Sequence, residues 1–222
     1  MFPDRSFDHG TPAVKVKRQE TPVEKGKKYM LAAIYGSPRL DGNTAILMDR
    51  FLDGTRLMAE KTGTEIQIEK ILVSRLNISP CRECGNCSRT GECIVHDDMQ
   101  DISRILIDAD YVAVSSPVFF TTVSGYLKAL IDRCQRFWVL KYERQEKIIK
   151  KTRKGIFIAA SGSGSSTIFD CPKKVIRSFF DVLYIDYEAD FLNSSTDCRG
   201  DILKNTDALE AVFEFGKNIE ID

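Results

Sequence analysis

The chain alternates between short, continuous apolar runs and longer stretches in which apolar residues recur at helical spacing. Residues 29–35 (YMLAAIY), 110–116 (DYVAVSS) and 155–160 (GIFIAA) are such runs. Their lack of alternation predicts strands buried on both faces of a parallel sheet. Residues 64–72 (TEIQIEKIL) alternate at period two instead, which predicts a strand at or near a sheet edge. Residues 182–192 supply a last strand. Helical spacing through Ile46, Leu47, Phe51, Leu57 and Met58 predicts the first helix. Further helices are predicted over 97–108, with Asp97 or Asp98 as N-cap, and over 126–138, 168–180 and 202–219. The β–α unit recurs five times without an internal repeat or a second-domain boundary. The expected fold class is therefore α/β, a doubly wound five-stranded parallel sheet with helices on both faces.

Ligands of such sheets bind beyond the carboxyl ends of the strands, near the topological switch point. Three loops fall at those ends. The first is Gly36-Ser37-Pro38-Arg39, continuing to Gly42-Asn43-Thr44 at the start of a helix. Free backbone N–H groups and the positive helix end favour a phosphate there. Arg39 supplies a charge-assisted contact. The loop lacks the lysine of GxxxxGK[ST] and is not a GxGxxG. The second loop, Pro117-Val118-Phe119-Phe120 and on to Ser124-Gly125, is apolar and aromatic and suits a flat ring. The third, Ser161-Gly162-Ser163 and on to Ser166, leaves the backbone close to whatever binds. Together the loops describe a mononucleotide pocket, and FMN in the flavodoxin-like strand order suits it. Core packing is the competing reading for Phe119 and Phe120, and an ordinary helix-capping turn for residues 36–44.

Between the edge strand and the 97–108 helix lie Cys81, Cys84, Cys87 and Cys93, spaced C-x2-C-x2-C-x5-C. A core does not need thiols at this density, whereas a soft metal centre does. Three readings remain open on spacing alone. They are a 4Fe–4S cluster, structural zinc with His96 able to replace one sulfur, and a metal-free, redox-labile loop. Cys134, Cys171 and Cys198 are isolated and read as structural or incidental.

Composition narrows the rest. Lys+Arg and Asp+Glu are both 32, so no global field draws nucleic acid or an anionic membrane. No apolar run approaches a membrane span. The first residues lack a hydrophobic signal core, and the expected location is cytoplasmic. Residues 1–28 are proline-containing, charged and aperiodic, and read as a mobile or subunit-contacting arm preceding the domain at 29–222. Residues 141–154 are basic, and read as a helix extension or a solvated connection.

Three motifs carry a family resemblance: Gly36-Ser-Pro-Arg-x-x-Gly-Asn-Thr44, the four cysteines followed by Asp97-Asp98-Met99, and Ser116-Pro-Val-Phe-Phe with Ser124-Gly-x-Leu-Lys-x-x-Ile-Asp-Arg133. The chain resembles the NAD(P)H-dependent FMN reductase family, and more narrowly its iron–sulfur flavoprotein branch, over about Tyr29 to Ile219. The resemblance implies a flavodoxin-like fold with a cysteine-rich loop insertion. It implies that Ser37, Arg39, Gly42, Asn43 and Thr44 hold the FMN phosphate, that Pro117, Val118, Phe119 and Phe120 pack along the ring, and that Ser161, Gly162 and Ser163 close the pocket. It further implies a 4Fe–4S cluster on Cys81, Cys84, Cys87 and Cys93, a homodimer or homotetramer, and ferredoxin or NAD(P)H as electron donor. The leading expectation is an electron-transfer flavoprotein with no protein general acid or base. The alternatives are an NAD(P)H-dependent FMN or quinone reductase without a functional cluster, and a non-enzymatic redox sensor.

Overall fold

A computed structural model describes residues 28–220; the arm expected at the N-terminus falls, but for Lys28, outside the described residues. The five strands are β1 (Lys28–Tyr35), β2 (Glu65–Leu72), β3 (Tyr111–Pro117), β4 (Arg153–Ala160) and β5 (Ile185–Asn193), all parallel and ordered β2-β1-β3-β4-β5. This is the flavodoxin-like order, with its switch point between β1 and β3. The expected fold class is thus observed. The alternating segment forms β2 at one edge, and the unbroken apolar runs form the three inner strands, as two-sided burial demands.

Helices α1 (Asn43–Thr62) and α7 (Thr206–Lys217) cover one face, where Phe51, Leu47 and Val212 pack on Leu31, Tyr111 and Ile156. The two helices touch backbone to backbone: a Cβ on Gly54 would lie 2.1 Å from the Phe213 carbonyl oxygen, and one on Gly216 2.2 Å from that of Phe51. Helices α3 (Met99–Asp108), α4 (Gly125–Arg133), α5 (Gln135–Trp138) and α6 (Asp170–Val182) lie on the other face, with Leu106, Leu127, Phe137 and Phe179 in a core against Val112, Val114 and Phe157. A further short helix, α2 (Asn86–Thr90), lies within the cysteine loop.

The departures from expectation are local. The helix expected over 126–138 breaks at Cys134, and the chain continues through α5 into a π-helical turn, Val139–Glu143, closed by Arg144 N–H to the Val139 carbonyl at 2.9 Å. The basic stretch is therefore partly helical and partly strand: Arg153 and Lys154 open β4. Arg153 is 1% exposed and its guanidinium donates to the carbonyls of Leu106, Ala109 and Leu183, closing the sheet end where charge counting suggested solvent. The last helix begins at Thr206, capped by the Asn205 side chain accepting from Ala208 N–H at 3.0 Å, and residues 201–204 form a separate 3-10 turn.

Candidate functional site

The first two loops are stitched to each other at the switch point. Gly36 N–H donates to the Ser115 carbonyl at 2.7 Å, and a Cβ on Gly36 would stand 2.6 Å from that oxygen. Ser124 is fully buried; its hydroxyl donates to the Gly36 carbonyl and accepts from Leu127 N–H, so one side chain caps α4 and fixes the end of β1. Ser116 Oγ accepts from Ser124 N–H at 3.0 Å.

Above this seam opens a cavity of about 460 Å³. Its floor is the first loop: Ser37, Arg39, Gly42, Asn43 and Thr44 all line it. Gly42 is the N-cap of α1, no side chain caps the helix, and its first turn contains no acid, so the positive end is open to the cavity. Pro117, Val118 and Phe119 form one wall, and Ser161 and Gly162 another. The Asn43 amide points sideways: it donates to the Cys198 carbonyl at 2.9 Å and accepts from Ile202 N–H at 3.3 Å.

Phe120 and Ser163 do not line the cavity. Phe119 and Thr122 exchange backbone hydrogen bonds of 2.9 and 3.1 Å around Phe120 and Thr121, whose φ angles are 47° and 62°. A two-residue turn with both central residues left-handed normally takes Asn-Gly, and here it holds a bulky and a β-branched residue instead. It leaves Phe120 wholly exposed. Ser163 is exposed, and its carbonyl accepts from Ser195 N–H at 3.1 Å.

A fourth wall was not read from sequence. Thr196, Asp197, Cys198 and Arg199, beyond β5, complete the cavity. Thr196 N–H donates to the Ser161 carbonyl at 2.9 Å, and Arg199 forms an exposed ion pair with Asp41. The signal was available, since this segment too follows the carboxyl end of a strand.

The four loop cysteines line a separate basin of about 260 Å³, floored by α4, α5 and the π turn. Cys81 and Cys84 are exposed, Cys87 and Cys93 half-buried, and burial pushes the Cys87 thiol up. The loop is held at both ends. Asp97 Oδ2 accepts from Ser79 N–H at 2.9 Å and from Arg133 Nη1 at 2.6 Å; Arg133 also donates to the carbonyls of Ser79 and Val95. Asp97, rather than Asp98, caps α3: its Oδ1 accepts from Met99 N–H at 3.1 Å, and Gln100 Oε1 accepts from Asp97 N–H at 2.8 Å, a reciprocal capping pair. The Asp98 carboxylate is drawn to Asn77 N–H at 2.7 Å. Arg136 donates to the Gly91 carbonyl at 2.8 Å, and Arg144 reaches the carbonyls of Ser88 and Arg89.

The donor chemistry fits a soft metal centre, because four thiols face one basin. The ligand geometry is not pre-formed: among the described residues no three His, Cys, Asp or Glu side chains converge closely enough to hold a metal ion. His96 Nδ1 is engaged by the Gln100 amide at 3.0 Å.

The model of the NADPH-dependent FMN reductase family matches residues 29–170. The chain belongs to that family. Curated relatives that the chain resembles within it are named iron–sulfur flavoproteins. The chain is 35% identical over 100 residues to one from Archaeoglobus fulgidus, covering 45% of this chain and 43% of the relative. A second, from Methanocaldococcus jannaschii, is 37% identical over 100 residues, 45% of this chain and 49% of the relative. A third, from Methanosarcina thermophila, is 27% identical over 155 residues, 70% and 73% of the two chains. The matches thus span about half the length of the first two relatives. Solved structures confirm the fold at low identity. A quinone oxidoreductase from Methanothermobacter marburgensis has a TM-score of 0.62 at 14% identity over 87% of this chain and 97% of its own. The azoreductase AzrA has a TM-score of 0.60 at 10% identity over 86% and 100%. Among the described residues no helix is long and apolar enough to cross a membrane.

Proposed function

We propose that this protein is an FMN-dependent electron-transfer oxidoreductase in which a 4Fe–4S cluster on Cys81, Cys84, Cys87 and Cys93 is coupled to FMN. The observation that carries it is the coexistence, on one flavodoxin-like sheet, of the switch-point cavity and a basin lined by four thiols. FMN, when bound, supplies one- and two-electron chemistry, and a cluster passes single electrons.

The chain's own residues supply position and electrostatics. Ser37, Arg39 and the open N-terminus of α1 bind the phosphate. Pro117, Val118 and Phe119 would offer the ring an apolar wall, and Ser161 and Gly162 would hold it from another wall of the cavity. No side chain is assigned as a general acid or base. The exposed Phe119 and Phe120, which share a shallow apolar patch with Val118 and Val123, are proposed as the contact with a second copy of the chain, and ferredoxin is the proposed donor.

A second reading is an NAD(P)H-dependent FMN or quinone reductase without a functional cluster. The match of residues 29–170 to the NADPH-dependent FMN reductase family favours it. Anaerobic purification followed by iron, sulfide, zinc and flavin analysis of one sample separates the two. About four irons and four sulfides per FMN support the cluster reading. FMN without iron, together with rapid bleaching of the flavin by NADPH, overturns it in favour of the reductase.

A further inference from the structure

Arg133 floors the cysteine basin with one hydrogen-bond donor unused. It is the last residue of α4 and is 4% exposed. Nη1 donates to Asp97 Oδ2 at 2.6 Å and to the Ser79 carbonyl at 2.9 Å, and Nη2 to the Val95 carbonyl at 3.2 Å. Nε is buried without a partner. A guanidinium carries its donors in a rigid planar fork. Once both Nη atoms are tied to the two stems of the loop, Nε cannot swing out to water.

Buried donors are normally paired, and an unpaired one in a native fold calls for a reason. A second orphan Nε belongs to Arg153, enclosed by the carbonyls of Leu106, Ala109 and Leu183 at the end of the sheet, and there no group awaits a donor. Arg133 differs in its surroundings, because it shares the basin with all four loop cysteines. Of the four, Cys93 alone also lines, together with Arg133, the small recess of about 30 Å³ beside the basin, and a thiolate there would act on the guanidinium charge.

We propose that the free Nε–H of Arg133 is held for the thiolate of Cys93, and that Arg133 is thereby a positioning residue that sets how readily the centre on the four cysteines accepts an electron. The inference rests on the cluster reading above. Hydrogen bonds to cluster sulfurs, like nearby positive charge, stabilise the more negative, reduced state and raise the reduction potential. Neither the spacing of the cysteines nor their identity would reveal this; the donor comes from a helix about forty residues further along the chain.

The test uses anaerobically purified, full-length holoprotein, with iron and sulfide measured on every sample and the cluster titrated potentiometrically by electron paramagnetic resonance. At the wild-type midpoint potential, Arg133→Gln is expected to cut the ratio of reduced to oxidised cluster about tenfold, a fall of about 59 mV for a one-electron couple. Arg133→Lys, which keeps the charge but lacks Nε, is expected to fall by less. A four-iron cluster retained in Arg133→Gln with an unshifted midpoint overturns the proposal and leaves the cluster reading intact. Should Arg133→Gln lose its iron, Arg133→Lys decides: a lowered midpoint supports the proposal, and an unshifted one overturns it. Loss of iron from both variants makes Arg133 a structural clamp only and overturns the tuning role. A wild-type protein without iron overturns both readings together.

Discussion

Asp97 Oδ2 and Arg133 Nη1 lie 2.6 Å apart with both side chains 2% exposed. Through this pair, the stem before Cys81 and the stem after Cys93 are fastened to the end of α4. Breaking a buried ion pair by removing one partner strands the other's charge and costs about 3–5 kcal/mol. Asp97→Ala is expected to lower the unfolding free energy by that order, measured by urea denaturation. Replacing both residues by apolar ones of similar volume should restore much of the loss, because the stranded charge is then gone.

The same carboxylate makes stability depend on acid. Burial pushes the Asp97 pKa up, but hydrogen bonds from Arg133, Ser79 N–H and Met99 N–H, with the Arg133 charge, outweigh it and hold the group below its ordinary value of 3.8. The unfolded chain therefore binds the proton more tightly, so stability rises with pH across this window. The contribution is complete above about pH 4 and is lost as pH falls through the folded-state value. Thermal unfolding from pH 3 to 7 should show the wild type losing more below about pH 4 than Asp97→Asn does. Parallel curves for the two proteins would refute the assignment.

Arg39 is exposed and lines the cavity floor, free to meet a phosphate. Arg39→Ala is expected to weaken FMN binding by about ten- to a hundredfold, the worth of a hydrogen bond to a charged group. Riboflavin, which has no phosphate, should bind wild type and variant alike. Flavin fluorescence titration reads both, and an equal loss for the two ligands would place Arg39 away from the phosphate.

The Phe120–Thr121 turn carries two left-handed residues that L side chains resist by about 1–2 kcal/mol each. Phe120→Asn with Thr121→Gly should raise the unfolding free energy by about 1–2 kcal/mol, measured by thermal denaturation at low protein concentration. If the exposed Phe120 is a contact between copies, the same variant should sediment at a lower mass than the wild type. Unchanged mass would remove that face from the subunit contact.

Cys87→Ser is expected to abolish iron binding and leave most FMN bound, because the basin and the cavity have no lining residue in common. Joint loss of iron and flavin in one variant would mean that the two sites are not independent.

Much of this was legible in the sequence because it rests on local periodicity and turn chemistry. Unbroken apolar runs gave the inner strands, period-two alternation gave the edge strand, and the Gly-Ser-Pro-Arg and Ser-Gly-Ser loops marked the carboxyl ends. What escaped reading depends on contacts distant in sequence. Arg133 closes a family motif without a stated role, Arg136 carries no signal and Arg144 lies in the basic stretch, yet all three hold carbonyls of a loop some forty to fifty-five residues earlier. Arg153 looked solvated and is buried, because its partners are main-chain oxygens that carry no residue signature. The Thr196–Arg199 wall went unread because its residue types are those of any surface loop.

Helix α4 is capped by Ser124, which secures the first two cavity loops, and ends at Arg133, which secures the cysteine loop. Its nine residues, Gly125–Arg133, rise about 13 Å. The helix is thus a ruler between the two sites and also sets their angular phase. One residue added within it would lengthen the gap by only about 1.5 Å but turn Arg133 about 100° away from the loop it holds. Natural variation should therefore be far freer in the composition of this helix's outer face than in its length.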